Sequence, residues 1–409
     1  MTEAPESSPG VSPVFSPLHA VHVAAGASFT DFAGWQMPVR YSSDLAEHRA
    51  VRTAAGIFDL SHMAEILVAG PESAVFLDYA LAGELSATAL GQAKYSLLLS
   101  ERGGIVDDVV VYRTGTSEFL IVANAGNHVA AFEALVARSE HFDVEVSDQS
   151  DRLALIAVQG PRAREIVMAA PGIGFGRAAA GDHPLGSVKY YWSLAATYAN
   201  EPLLVARTGY TGEDGFELYV PTAHAVALWN ELVAAGQPFG LVPAGLAARD
   251  TLRLEAGMPL YGHELSLHTR PEQAGLGRVV NFTKGDFVGR GALESPATGS
   301  RAQAPAVNQN QAQPPEGAAP TDGRVLAGLV GEGKRAARAG YEVFETPSSA
   351  APIGVVTSGV LSPTLGVPVA MAYLDPSFTE PGTDVVIDVR GTRLPFTVTP
   401  VPFYRRKRD

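Results

Sequence analysis

The 409-residue sequence contains no cysteine. That excludes disulfide staples, thiolate nucleophiles, thiolate zinc sites and cysteine-held iron–sulfur clusters. Any chemistry falls to carboxylates, histidine, arginine, hydroxyls or a bound cofactor. Positive charge is in deficit too, with 30 Lys and Arg against 43 Asp and Glu and a net charge of −13. Such a chain repels a phosphate backbone rather than releasing its counterions, so nucleic acid is not an expected partner. No uninterrupted apolar run approaches the roughly 18 residues that suggest a membrane span. Met1 to Gly26 lacks the basic start and apolar run of a signal peptide and the Arg-rich character of a transit peptide, and it opens acidic and rich in Ser and Pro. It reads as a disordered tail on a cytoplasmic protein.

What is present divides the remainder into three regions. At this length two or three domains are expected, with a cleft between them. Over 27–295, β-rich runs such as Ile105–Tyr112, Phe119–Ala123 and Leu153–Val158 alternate with helical stretches such as Val129–Arg138, an α+β pattern. Over 296–323 the chain turns to Ala, Gln, Pro and Asn, too poor in large apolar residues to offset its ordering entropy, and reads as a mobile linker. Over 324–409, six short β-rich runs separated by Gly and Pro turns predict a small β-barrel.

Three segments carry candidate chemistry. In Gly103-Gly104-Ile105-Val106-Asp107-Asp108-Val109-Val110-Val111-Tyr112, two carboxylates interrupt an otherwise apolar strand. Alternation puts Asp107 with Ile105, Val109 and Val111, and Asp108 with Val106, Val110 and Tyr112, so the two face different environments. Either an Asp satisfies the amides of the Gly-Gly turn, or a lone carboxylate in a partly dry setting gains proton affinity for acid/base work. The second segment, Arg207 to Val220, holds glycines at every third position but neither a dinucleotide fingerprint nor a phosphate loop. It is a plain β-hairpin, or it turns Glu217 into a pocket walled by Tyr210, where a carboxylate grips adjacent N–H donors of a flat heterocycle.

The third is a helix expected over Pro243–Ala256, opened by proline and closed by Gly257, with Ala244, Ala247, Ala248, Thr251 and Leu252 on one packing face. Arg249 and Arg253, four apart, repel unless each finds an anion. Both are surface ion-pair formers, or one holds a protein carboxylate and the other a ligand. His263 and His268 are five apart and diverge by about 140° on a helix, so no metal site is expected there.

Taken in order, these segments resemble the glycine cleavage T-protein family. The likeness also runs through Phe32-Ala33-Gly34-Trp35-Gln36-Met37-Pro38, Phe58-Asp59-Leu60-Ser61-His62-Met63, Ala123-Asn124-Ala125-Gly126 and Gly245 to Gly262. The resemblance implies a cloverleaf of two intertwined α+β portions that bind folate, closed by the C-terminal barrel. It implies an aminomethyltransferase that passes a methylene unit from an aminomethyl-lipoyl H protein, a transient partner, to tetrahydrofolate, with no metal. Asp108 then corresponds to the catalytic acid, and Glu217, Arg249, Tyr210, Asn124, Met63 and Tyr95 to folate-site residues. Arg278 stands where many relatives carry Trp, which removes one expected aromatic contact. A folate-dependent demethylase of a methylated amine or sulfonium compound is the alternative within the same fold. An iron–sulfur assembly factor is excluded by the missing cysteine, the nearest stretch being Lys284-Gly285-Asp286-Phe287.

Overall fold

The structure, a computed structural model, describes residues 13–176, 184–294 and 323–406. Two interleaved sheets form its larger part. The five-stranded sheet runs, in spatial order, Ala93–Leu99, Ile105–Gly115, Glu118–Ala123, Ala64–Ala69, Glu145–Asp148. The seven-stranded sheet runs Ile173–Phe175, Ser193–Tyr198, Glu201–Ala206, Gly215–Pro221, Leu153–Gln159, Ala55–Asp59, Leu241–Pro243. The chain enters the second sheet at Ala55–Asp59, leaves to build the first, and returns at Leu153. The sheets meet through Leu60, Tyr112, Val122, Leu155 and Tyr219, which share one core cluster.

The Ile105–Gly115 strand shows why its sequence forms this element. Val109 and Val111 pack beneath the His128–Arg138 helix, in a cluster that includes Ala131 and Leu135. Val110 and Tyr112 face the seven-stranded sheet. Each fully buried aliphatic side chain contributes about 1.5–3 kcal/mol, enough to hold the register of a two-faced strand. The turn before it needs both glycines. Gly103 adopts φ +81°, and a Cβ on Gly104 would lie 1.9 Å from the Leu267 carbonyl oxygen. Gly104→Ala is therefore expected to lower the unfolding free energy by about 1–3 kcal/mol, the usual scale of overpacking. A denaturation midpoint equal to that of the native chain would refute this.

The expected tail to Gly26 is overturned from residue 13 onward. Val14–Phe15 pairs in parallel with Trp35 and Gln36, and the His19–Ala24 helix follows with Leu18 and His22 fully buried. His22 Nε2 lies 2.8 Å from Asp59 Oδ2, which also accepts from the Ser16 hydroxyl. A Pro- and Ser-rich composition suggested disorder, but a buried partner far along the chain fixes the segment. Residues 1–12, and 296–323 apart from Gly323, lie outside the described residues.

The third helix also differs from expectation. It spans Leu246–Glu255 with Gly245 as its N-cap, while Pro243 ends a strand paired in parallel with Ala55–Ile57. Ala248 and Leu252 are buried as the face requires, yet Arg253 and Glu255 are buried too. The barrel, closed by six strands from Val325–Gly331 to Thr392–Thr399, explains this. Its Ser358 hydroxyl accepts from Arg253 Nη2 at 2.8 Å, and its Ser362 and Thr364 hydroxyls donate to the two Glu255 oxygens at 2.5 and 2.7 Å. Burial pushes the Glu255 carboxyl upward, but hydrogen bonding and charge from His48, then Ser362 and Arg52, bring it down to about 2.

Candidate active site

Between the two sheets lies a cavity of about 570 Å³, and Asp108, Glu217, Arg249, Tyr210, Asn124, Met63 and Tyr95 all line it. Most of the wall is apolar or aromatic, with Leu60, Val110, Tyr112, Val122 and Leu155 adding to Met63. Among the described residues, none of the barrel lines it.

The acid end is built by strand alternation. Asp107 points away from the cavity and is fully buried, while Asp108 lines it. Neither acid caps the Gly-Gly turn, where Ser100 Oγ accepts from the Gly104 amide instead. Asn124, leaving the adjacent strand, joins the two acids. Its Nδ2 donates to Asp107 Oδ1 at 2.7 Å and to Asp108 Oδ1 at 2.8 Å, and its backbone amide donates to Asp107 Oδ2 at 3.0 Å. Asn127 Nδ2 adds a fourth bond, to Asp107 Oδ1 at 2.7 Å, and the Tyr95 hydroxyl donates to Asp108 Oδ2 at 3.0 Å. Burial first, then the Asp108 charge, pushes Asp107 up to about 8 against the Asn127 and Asn124 hydrogen bonds. Burial likewise raises Asp108, opposed by Tyr95 and Asn124. The pair resists carrying two negative charges at neutral pH, so this wall can hold and release a proton.

The opposite carboxylate, Glu217, sits on the Gly215–Pro221 strand. Its Oε2 accepts from Thr208 Oγ1 at 2.5 Å and from the Tyr112 hydroxyl at 3.2 Å, and Tyr219 donates in turn to Tyr112 at 3.2 Å. These bonds fix the carboxylate through one oxygen, and Oε1 accepts no hydrogen bond among the described residues. The preceding glycine turn is required by close packing: a Cβ on Gly209 or Gly215 would strike the Gln159 amide, which accepts from Thr211 Oγ1 at 3.1 Å.

The two helix arginines separate as the like-charge spacing demands. Arg253 is consumed internally, at 2.7 Å from Glu264 and 2.8 Å from Asp250. Arg249 lies over the Tyr210 ring, its Cζ 4.9 Å from the centroid, and its buried Nη1 has no hydrogen-bond partner. Burial lowers its proton affinity and the Glu217 charge opposes that. Tyr210 is itself anchored through its hydroxyl to the Pro259 carbonyl. Arg278 is exposed and off the wall, whereas Leu276 is on it. Sequence reasoning passed over His62, Tyr112, Thr208 and Tyr219. Tyr112 was legible from its alternation with Asp108, and Tyr219 from its alternation with Glu217; Thr208 joins the site across the glycine turn through its bond to Glu217, and His62 through its place on the wall.

A largely apolar cavity with a proton-holding acid pair, a second fixed carboxylate and a guanidinium whose buried Nη1 has no partner defines an enzyme, of the group-transfer class. Comparison with known proteins specifies it. The GCVT N-terminal domain matches residues 18–284 and the glycine cleavage T-protein C-terminal barrel domain matches residues 324–405. The aminomethyltransferase of Cutibacterium acnes is 54% identical over 96% of this chain and 98% of its own, and that of Streptomyces coelicolor 51% identical over 96% and 97%. The crystal structure of the glycine cleavage system aminomethyltransferase T from Bartonella henselae superposes with a TM-score of 0.82 at 35% identity, covering 96% of this chain and 98% of that one. The chain belongs to the glycine cleavage T-protein family and is an aminomethyltransferase.

Proposed function

We propose that the cavity binds tetrahydrofolate and that the chain transfers the methylene unit of an aminomethyl-lipoyl H protein to it, giving 5,10-methylenetetrahydrofolate and ammonia. The observation that carries this reading is the distribution of unmet polarity on an otherwise apolar wall. Glu217 offers an oxygen to N–H donors, and Arg249 has a buried nitrogen without a protein acceptor. A flat ring with donors and acceptors on one edge answers both. When bound, tetrahydrofolate supplies the nucleophilic nitrogen that accepts the carbon.

The chain's residues then align and manage protons. Asp108, held by Tyr95 and Asn124, takes and returns a proton at its carboxylate and stabilises positive charge developing beside it. Glu217 and Arg249 act chiefly through binding, with Tyr210 and Met63 as walls. The H protein is proposed as a transient partner. No helix among the described residues is long and apolar enough to cross a membrane.

Ammonia release from an aminomethyl-lipoyl donor, compared with a methylated amine, tests the reaction. Calorimetric titration with tetrahydrofolate against an unreduced pterin tests the ligand. Glu217→Gln is expected to raise the apparent tetrahydrofolate dissociation constant about tenfold, as for one charge-assisted hydrogen bond lost, with turnover at saturation less affected. An unaltered titration would remove Glu217 from the site.

A further inference from the structure

Five side chains with N–H donors line the cavity: His62, Asn124, Asn127, Arg249 and Arg253. Asn124 and Asn127 are committed to the two aspartates, and Arg253 to Glu264 and Asp250. His62 and Arg249 remain. His62 Nδ1 and Arg249 Nη1 are both buried without a hydrogen-bond partner.

The position of His62 is fixed by its backbone neighbours rather than by its ring. The Leu60 amide donates to the Leu155 carbonyl at 2.8 Å, Ser61 Oγ accepts from the Leu155 amide at 3.2 Å, and Asp59 Oδ1 accepts from the Ser61 amide at 3.0 Å. His62 is 3% exposed, and its ring meets that of Phe32 edge-on at 5.2 Å between centroids. Burial, opposed by Asp59 and assisted by Arg249, pushes the imidazole down to about 4. At neutral pH it is uncharged, with one donor and one acceptor nitrogen. A polar ring buried without a partner lowers stability, and an apolar residue of similar size would avoid that loss. Such a residue on a cavity wall marks a group whose partner arrives with the ligand.

We infer that His62 is a specificity-determining residue of the proposed folate site, donating beside Arg249 to an acceptor atom on the edge of the bound reduced pterin while Glu217 takes the ring's N–H donors. The inference rests on the reading of the cavity as a tetrahydrofolate site.

Two full-length variants and one spectrum test it. His62→Leu is expected to keep or raise the thermal midpoint and to raise the tetrahydrofolate dissociation constant about tenfold, the loss of one neutral hydrogen bond. His62→Gln, which retains a donor, is expected to recover most of that affinity. In the native chain labelled with ¹⁵N-histidine, the His62 ring resonances are expected to shift on adding tetrahydrofolate. Binding by the native chain with unmoved His62 resonances, or an unchanged constant in His62→Leu, overturns this inference alone. If His62→Leu lowers the thermal midpoint, the ring resonances decide. No binding of tetrahydrofolate by the native chain overturns the proposed function and this inference together.

Discussion

Asp108→Asn is expected to cut turnover about 10²–10³-fold while leaving tetrahydrofolate affinity within about tenfold. The amide fits the same space: its oxygen can keep the Asn124 donor, and its NH₂ can donate to the Tyr95 oxygen, reversing the 3.0 Å bond. Shape therefore survives and only charge and the exchangeable proton are lost. In the proposed function Glu217 and Arg249 carry most of the affinity, so the ground state is expected to change little. Single-turnover ammonia release and a calorimetric titration on the same preparation separate the two effects. Turnover near that of the native chain would reject Asp108 as the acting acid.

The largest stability effect is expected from Arg253→Met, a loss of about 3–5 kcal/mol. The guanidinium is 1% exposed and faces Glu264, whose side chain is wholly buried; removing it leaves that carboxylate uncompensated. It also drops the bond to the barrel hydroxyl of Ser358 and that to the Met258 carbonyl at 3.1 Å. Replacing both partners, Arg253→Met with Glu264→Leu, is expected to restore much of the loss, because two apolar groups need no mutual charge. Urea denaturation of the single and double variants checks both statements. A single variant within about 1 kcal/mol of the native chain, or a double variant worse than the single one, would show that the ion pair does not dominate.

How far the site was legible in sequence depended on whether its signals were local. Period-two alternation along Ile105–Tyr112 separated Asp107 from Asp108 correctly, since a strand gives each residue no choice of face. The four-residue spacing of Arg249 and Arg253 raised the right question, one arginine for the protein and one left over, without saying which. Contacts distant in the chain were invisible. Nothing near Asn124 announces that its one amide bridges both acids, and nothing in a Pro-rich leader announces that His22 will find Asp59. His62 was hidden for another reason: its buried Nδ1 has no hydrogen-bond partner among the described residues, so the wall around it is what reveals it. The six strands of the barrel were legible as six separate runs, because Gly and Pro turns punctuate them.

The Leu246–Glu255 helix carries Arg249 at its middle and is fastened at its far end by side chains that the barrel supplies. A chain cut before Val325 would retain every cavity wall and still lose the anchor that sets the arginine's height. Two chains could therefore share all their ligand contacts and differ in affinity through changes confined to the 362–364 turn. Variation there is a route to retuning the enzyme without touching its pocket.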